Sequence, residues 1–194
     1  MIYSEIGNRK GEAISHYNLG AVCRTFGEYE KAKEHLEESL VIFKEVGERN
    51  EEASSYLSRL GTVYQAVGKY EKARELLEKS LMIQKEIGHE EGEAIGYVNL
   101  VTVHTTVGEY EKALDYCQKS LAISKKIGNR RILALCYYEL GANLYYLGKY
   151  SKATEYNQKA LAILNDIGDR EAMARTYLSQ GSVECVYQLK KQLR

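Results

Sequence analysis

Residues 19–32 run Leu19-Gly20-Ala21-Val22-Cys23-Arg24-Thr25-Phe26-Gly27-Glu28-Tyr29-Glu30-Lys31-Ala32, and their outline returns three more times. It comes back as Leu60-Gly61 with Gly68-x-Tyr70-x-Lys72-Ala73, as Leu100 with Gly108-x-Tyr110-x-Lys112-Ala113, and as Leu140-Gly141 with Gly148-x-Tyr150-x-Lys152-Ala153. The interval is about forty residues each time. A period in that range marks a solenoid whose units bury their apolar faces only against their neighbours. For such a chain the functional question is what lies in the groove.

Each period reads as two antiparallel helices. In the first, a leading helix spans about Arg9 to Phe26, with apolar or small residues at Ala13, Tyr17, Gly20, Ala21 and Cys23. Gly27 ends it, because glycine alone takes the left-handed conformation that closes a helix without steric cost. A trailing helix follows from about Tyr29 to Val46, carrying Ala32, Leu36, Leu40 and Phe43 on one stripe. Gly47, Gly88, Gly128 and Gly168 end the trailing helices, and Asn129 and Asp169 suit the N-terminal caps of the helices after them. Gly20, Gly61 and Gly141 fall mid-helix, where glycine costs about 1 kcal/mol relative to alanine. Recurrence of that cost at one register predicts close approach of a neighbouring helix, with Ala32, Ala73, Ala113 and Ala153 as small residues on the other side. Val101 replaces the glycine in the third period and predicts a slightly wider contact there.

The expected fold class is all-α, a superhelical solenoid of antiparallel helix pairs. The expected organisation is a single array over 1–194: a remnant of a preceding repeat at 1–7, full repeats at 8–47, 48–88, 89–128 and 129–168, and a terminal half-repeat or capping helix at 169–194. The remnant is inferred because Ile2-Tyr3-Ser4-Glu5-Ile6-Gly7 reads like the close of a trailing helix, as Val41 to Gly47 does. At the other end Tyr187 to Arg194 reads as an amphipathic, basic helix end, with cations suited to the helix dipole.

Composition agrees with long helices. Proline is absent, and helix interiors exclude it. Tyr occurs 17 times against two Phe and no Trp, so tyrosine supplies most aromatic packing and its hydroxyls need partners or solvent. Lys plus Arg equals Asp plus Glu, 27 of each, which removes any overall field toward nucleic acid or an anionic bilayer. No apolar run approaches the roughly 20 residues of a membrane span, and the N-terminus lacks the pattern of a secretory signal. Cys23, Cys117, Cys136 and Cys185 show no C-x-x-C spacing, which points to free thiols in a reducing, cytoplasmic setting.

Leu60-Gly61-x-x-Tyr64, followed by Ala73-x-x-x-Leu77 and a small residue at Ser80, resembles the tetratricopeptide repeat; Gly68 and Tyr70 match residues common in it. The resemblance recurs four times over nearly the whole chain. Two departures are plain. The family's usual unit is about 34 residues and closes on a proline; here a capping glycine replaces the proline. Gly20 and Ala32 keep the usual separation, so about six extra residues fall between one trailing helix and the next leading one, lengthening each helix by roughly 4.5 Å. The longer unit resembles that of G-protein signalling modulators and of long-unit bacterial peptide receptors. The resemblance implies an extended peptide or protein ligand on a concave wall lined by the leading helices. By the family's register the wall positions are Tyr17, Asn18, Ala21 and Arg24, then Ser58, Arg59, Thr62 and Gln65, then Val98, Asn99, Thr102 and Thr105. The fourth repeat adds Tyr138, Glu139, Ala142 and Tyr145, and the half-repeat Arg175, Leu178, Ser179 and Ser182. Asn18 and Asn99 can pair bidentately with a peptide backbone. Arg24, Arg59 and Arg175 outnumber Glu139, which favours an acidic ligand or a C-terminal carboxylate.

Other functions fit less well. The Lys, Asn and Arg set by which related repeats clamp a chaperone tail is missing, since the corresponding positions read Tyr17 and Ala21, Ser58 and Thr62, Val98 and Thr102. His16, His35, His89 and His104 fall at different registers with no pair at helical metal-ligand spacing, so no metal is expected. His104 occupies the register of Tyr64 and reads as a packed or rim residue; Cys23 and Cys117 fall on core stripes. No catalytic triad and no phosphate loop can be assigned, because the glycines cap helices at fixed intervals. No enzyme activity and no cofactor are expected. The expected function is a protein-interaction scaffold without nucleic-acid or membrane partners. The alternatives are a regulatory portion of a larger signalling protein, or an array that associates with itself edge to edge.

Overall fold

The computed structural model describes residues 8–46 and 51–192, without the side chains of 51–56, 187 and 189–192. The expected remnant at 1–7 and the helix stop at Gly47 lie outside the described residues, as do the last two residues of the basic stretch, 193 and 194. Among the described residues there are nine α-helices and no strand. They are α1 (Arg9–Thr25), α2 (Tyr29–Glu45), α3 (Glu51–Ala66), α4 (Tyr70–Glu86), α5 (Glu90–Thr106), α6 (Tyr110–Lys126), α7 (Arg130–Tyr146), α8 (Tyr150–Ile167) and α9 (Arg170–Gln192). The fold is an all-α, tetratricopeptide-like stack of helix pairs. The chain divides into two compact units, Met1–Gly92 and Glu93–Arg194. In the first, α1 packs on α2, α2 on α3 and α3 on α4; in the second, α6 packs on α7, α7 on α8 and α8 on α9. None of the described helices is long and apolar enough to cross a membrane.

The turns form where the glycines placed them. Gly27, Gly68, Gly108 and Gly148 close the leading helices at φ of 76°, 77°, 81° and 72°, a region that a Cβ disfavours. Asn129 caps α7 by accepting from Ile132 N at 3.1 Å, and Asp169 caps α9 by accepting from Ala172 N at 3.1 Å.

The mid-helix glycines mark close approach. A Cβ on Gly20 would stand 2.7 Å from Leu36 Cγ, and one on Gly61 would stand 2.8 Å from Leu77 Cγ. On Gly141 it would stand 2.2 Å from Asn157 Oδ1. The third repeat accommodates Val101 differently. The residue facing it is Cys117 rather than a leucine, and both are buried in one cluster with Ala113 and Leu140. The methyls have moved from one side of the hairpin to the other. Gly181 stands at the same register on α9, and a Cβ there would meet nothing. A second latch also crosses the hairpins. The buried Ser39 hydroxyl donates to Ala13 O at 2.8 Å, and that of Ser120 donates to Ala94 O at 2.8 Å. Each serine satisfies a hydroxyl whose burial unpaired costs about 1–3 kcal/mol.

The four cysteines are free thiols. Burial pushes the pKa values of Cys117 and Cys136 upward, so both behave as small hydrophobes.

Candidate functional site

In the second unit, α7 and α9 flank a cavity of about 440 Å³. Arg131, Leu135, Tyr138 and Glu139 reach it from α7; Glu171, Ala172, Arg175 and Thr176 reach it from α9, with Leu164 of α8 and the cap Asp169. The core beneath is the packed cluster of Ala134, Ala160 and Leu164, against which Tyr138 and Ala172 lie. Arg130 pairs with Asp166 at 2.6 Å, and Asp169 both caps α9 and stands 3.8 Å from Arg131.

The electrostatics are uneven. Burial raises the Glu139 carboxyl from 4.5 to about 7, against the pull of the Arg175 guanidinium. A carboxyl raised this far is readily neutralised, and in its neutral form it both donates and accepts hydrogen bonds. Burial, aided by the Glu139 carboxylate and opposed by Arg175, also holds the Tyr138 phenol above its ordinary range. Arg175 is exposed at the mouth and offers a planar donor fork. Together these groups provide an aromatic face, a neutralisable acid and a cation around an apolar floor. That combination suits one or two side chains, or a carboxylate, of a partner segment.

Three of the residues expected on the wall, Tyr138, Glu139 and Arg175, thus come together. In the first unit the Arg59 guanidinium lies 4.6 Å from the centre of the Tyr17 ring, so those two also meet, through a cation–π contact. The remaining expected residues are dispersed. Asn18 and Arg24 are exposed, while Ser58, Gln65 and Asn99 are half-buried. Thr62 and Thr102 turn their hydroxyls back onto their own helices, donating to Arg59 O at 2.7 Å and Val98 O at 3.1 Å. Tyr145 packs edge-on against Tyr146, with ring centres 5.5 Å apart, and against the cluster of Leu144, Ala153 and Val183. Val98, expected on the open wall, is buried instead with Ala94, Ile132 and Cys136, because an apolar side chain gains by leaving water for apolar neighbours. Sequence reasoning missed Arg131 and Leu135. They stand two turns and one turn before Tyr138 on the same helix face, and that spacing was the available signal. His104 is packed, as its register suggested: it is buried, stacks on Tyr116 with ring centres 5.2 Å apart, and its Nδ1 lies 2.6 Å from Glu109 Oε2.

His16 and His35, on different helices, meet through Nδ1 atoms 3.2 Å apart. Spacing along one helix does not show this pair, because the contact crosses the hairpin.

Solved structures with this fold span several kinds of protein. A Rap protein complexed with Competence and Sporulation Factor superposes with a TM-score of 0.82 at 19% identity, covering 93% of this chain and 50% of that one. A signal transduction ATPase with numerous domains from Pyrococcus horikoshii, which carries a tetratricopeptide repeat sensor, gives 0.78 at 22% identity, covering 90% of this chain and 27% of that one. The tetratricopeptide-like repeats of a kinesin light chain from Podosopora anserina give 0.70 at 20% identity, covering 95% and 94%. The chain therefore spans half the length of the first and about a quarter of the second. No curated protein sequence matches it. The sequence model of the tetratricopeptide repeat matches residues 3–86 and 92–166, and the glycine turns and helix stacking agree with it: the chain belongs to the tetratricopeptide-repeat family.

Proposed function

We propose that this chain is a non-enzymatic protein-interaction array, and that its second unit seats a peptide or disordered segment of a partner in the Tyr138–Glu139–Arg175 cavity. The observation that carries this is the convergence of three expected wall residues on one apolar-floored cavity of about 440 Å³, within the usual range for ligand sites. Arg175 and Arg131 favour an acidic side chain or terminal carboxylate in the segment. The Rap relative, solved in complex with a factor, supports a partner-binding role. Four free thiols, two of them buried, support a reducing cytoplasmic setting. Within this proposal the chain is one array of four repeats, 8–47, 48–88, 89–128 and 129–168, with the half-repeat 169–194 completing the cavity wall. The long unit is then that of the peptide-binding members similar to G-protein signalling modulators. The Pyrococcus relative supports a second reading, in which such repeats are the regulatory portion of a larger signalling protein.

Selection of a displayed random-peptide library on the wild-type chain tests the proposal. The enriched peptides carry an acidic residue or rely on their free C-terminus. Arg175→Ala weakens them about tenfold to a hundredfold, because a charge-assisted hydrogen bond contributes roughly 1.5–3 kcal/mol, and Tyr138→Ala weakens them comparably. Equal binding by wild type and both variants contradicts the assignment of the cavity.

A further inference from the structure

The third and fourth repeats carry one cross-hairpin cluster at the same register, and in the first repeat all three of its positions differ. In the third repeat it is Tyr97, Tyr116 and Lys119: the rings lie 5.9 Å apart, with the ammonium 6.0 and 5.1 Å from their centres. In the fourth it is Tyr137, Tyr156 and Lys159, with rings 5.9 Å apart and the ammonium 4.9 Å from Tyr156. The second repeat has Leu57, Leu76 and Lys79. In the first the three positions hold His16, His35 and Glu38. Both rings have become imidazoles and the cation has become an anion.

The geometry points to a divalent transition-metal site of the zinc class formed by His16, His35 and Glu38, joining α1 to α2. The two Nδ1 atoms are 3.2 Å apart; Glu38 Oε2 is 2.7 Å from that of His16 and 3.7 Å from that of His35. A triangle with those sides leaves a point about 2 Å from all three atoms, the length of a Zn–N or Zn–O bond. Hydrogen bonding serves the same atoms poorly. Neutral imidazoles bring at most one hydrogen to each Nδ1, and two cationic rings at this distance repel with only one carboxylate between them. A cation uses all three lone pairs at once. Three protein ligands also leave a fourth position open to water or to a ligand atom of a partner.

The surroundings favour a cation. Beside His16 and Glu38 runs a groove whose described lining also includes Glu12, Glu34 and Glu37, with Arg9. A concave surface of one charge sign raises the local concentration of the opposite ion. His16 is buried and His35 half-buried, which holds their rings in place, while the exposed Glu38 leaves an entry path. The hairpin supplies the preorganisation: the antiparallel pairing that sets Gly20 against Ala32 and Leu36 also sets His16 beside His35 one turn away.

Titration with Zn²⁺ by calorimetry, and with Co²⁺ by visible absorption, tests the site on the whole chain. The expected result is one tight equivalent per chain, a tetrahedral Co²⁺ spectrum and a raised Tm on loading. Glu38→Gln weakens that equivalent by about tenfold or more, since even loss of an outer-shell partner costs that much. His16→Leu/His35→Leu, which installs the leucine pair of the second repeat, abolishes it. Glu38→Lys, the residue at this register in the other three repeats, is an exposed change that keeps the fold and abolishes it as well. An unchanged equivalent in Glu38→Lys, or no binding by the wild type, overturns the inference.

Discussion

Gly61→Val destabilises the first unit by about 2–3 kcal/mol, and Leu77→Cys alone by about 2 kcal/mol, whereas the two together lose far less than the sum. The reason is the facing pair. A Cβ on Gly61 would stand 2.8 Å from Leu77 Cγ and 3.3 Å from Ala73 O, so valine must push on a buried side chain and a backbone carbonyl. Cysteine at 77 alone leaves an unfilled space. The double variant recreates the pair that the third repeat already uses, Val101 against Cys117, both fully buried. A coupling of about 1–3 kcal/mol between contacting residues is the expected size, and urea unfolding of the four proteins measures it. Additive losses would show that the two hairpins are not packed alike. Gly181→Ala serves as a control, because nothing opposes a Cβ there and helix propensity alone then stabilises α9 by about 1 kcal/mol.

Glu139→Gln changes how stability depends on pH. The folded carboxyl titrates near 7, above its ordinary value of 4.5, so the folded chain binds this proton more tightly than the unfolded chain. The stabilisation is complete below about pH 4.5 and lost as pH rises through 7. Glutamine carries no such proton. The stability of the glutamine variant relative to wild type therefore rises across that window by on the order of 2–3 kcal/mol. Denaturation at pH 5 and pH 8 reads the difference. A gap that stays constant would place Glu139 in a wetter setting than the cavity floor.

Most of the fold was legible because its signals are local and repeated. Gly27, Gly68, Gly108 and Gly148 specify their turns by backbone conformation alone, and Asn129 and Asp169 specify caps within one helical turn. The mid-helix glycines went further, predicting a tertiary contact from a cost that nothing local offsets. The swap at Val101 was only half legible, because its answer, Cys117, sits on another helix. The same limit applied to the sites. Tyr138, Glu139 and Arg175 were identified by register, but their convergence depends on how α7 and α9 meet across Leu164 and Ala172. His16 and His35 were passed over for the converse reason, since spacing along one helix says nothing about a partner across the hairpin. Comparing each cross-hairpin register among the four repeats reveals that cluster from sequence, because only there do three positions change chemistry together.

If the face between α7 and α9 receives a partner segment, chemical-shift perturbation of the ¹⁵N-labelled chain by a library-selected peptide maps to it. The predicted shifts centre on Ala134, Leu135, Tyr138, Ala172 and Arg175, and Arg175→Ala diminishes them. Shifts that leave those amides unmoved and fall on the exposed faces of α6 and α8 would contradict it.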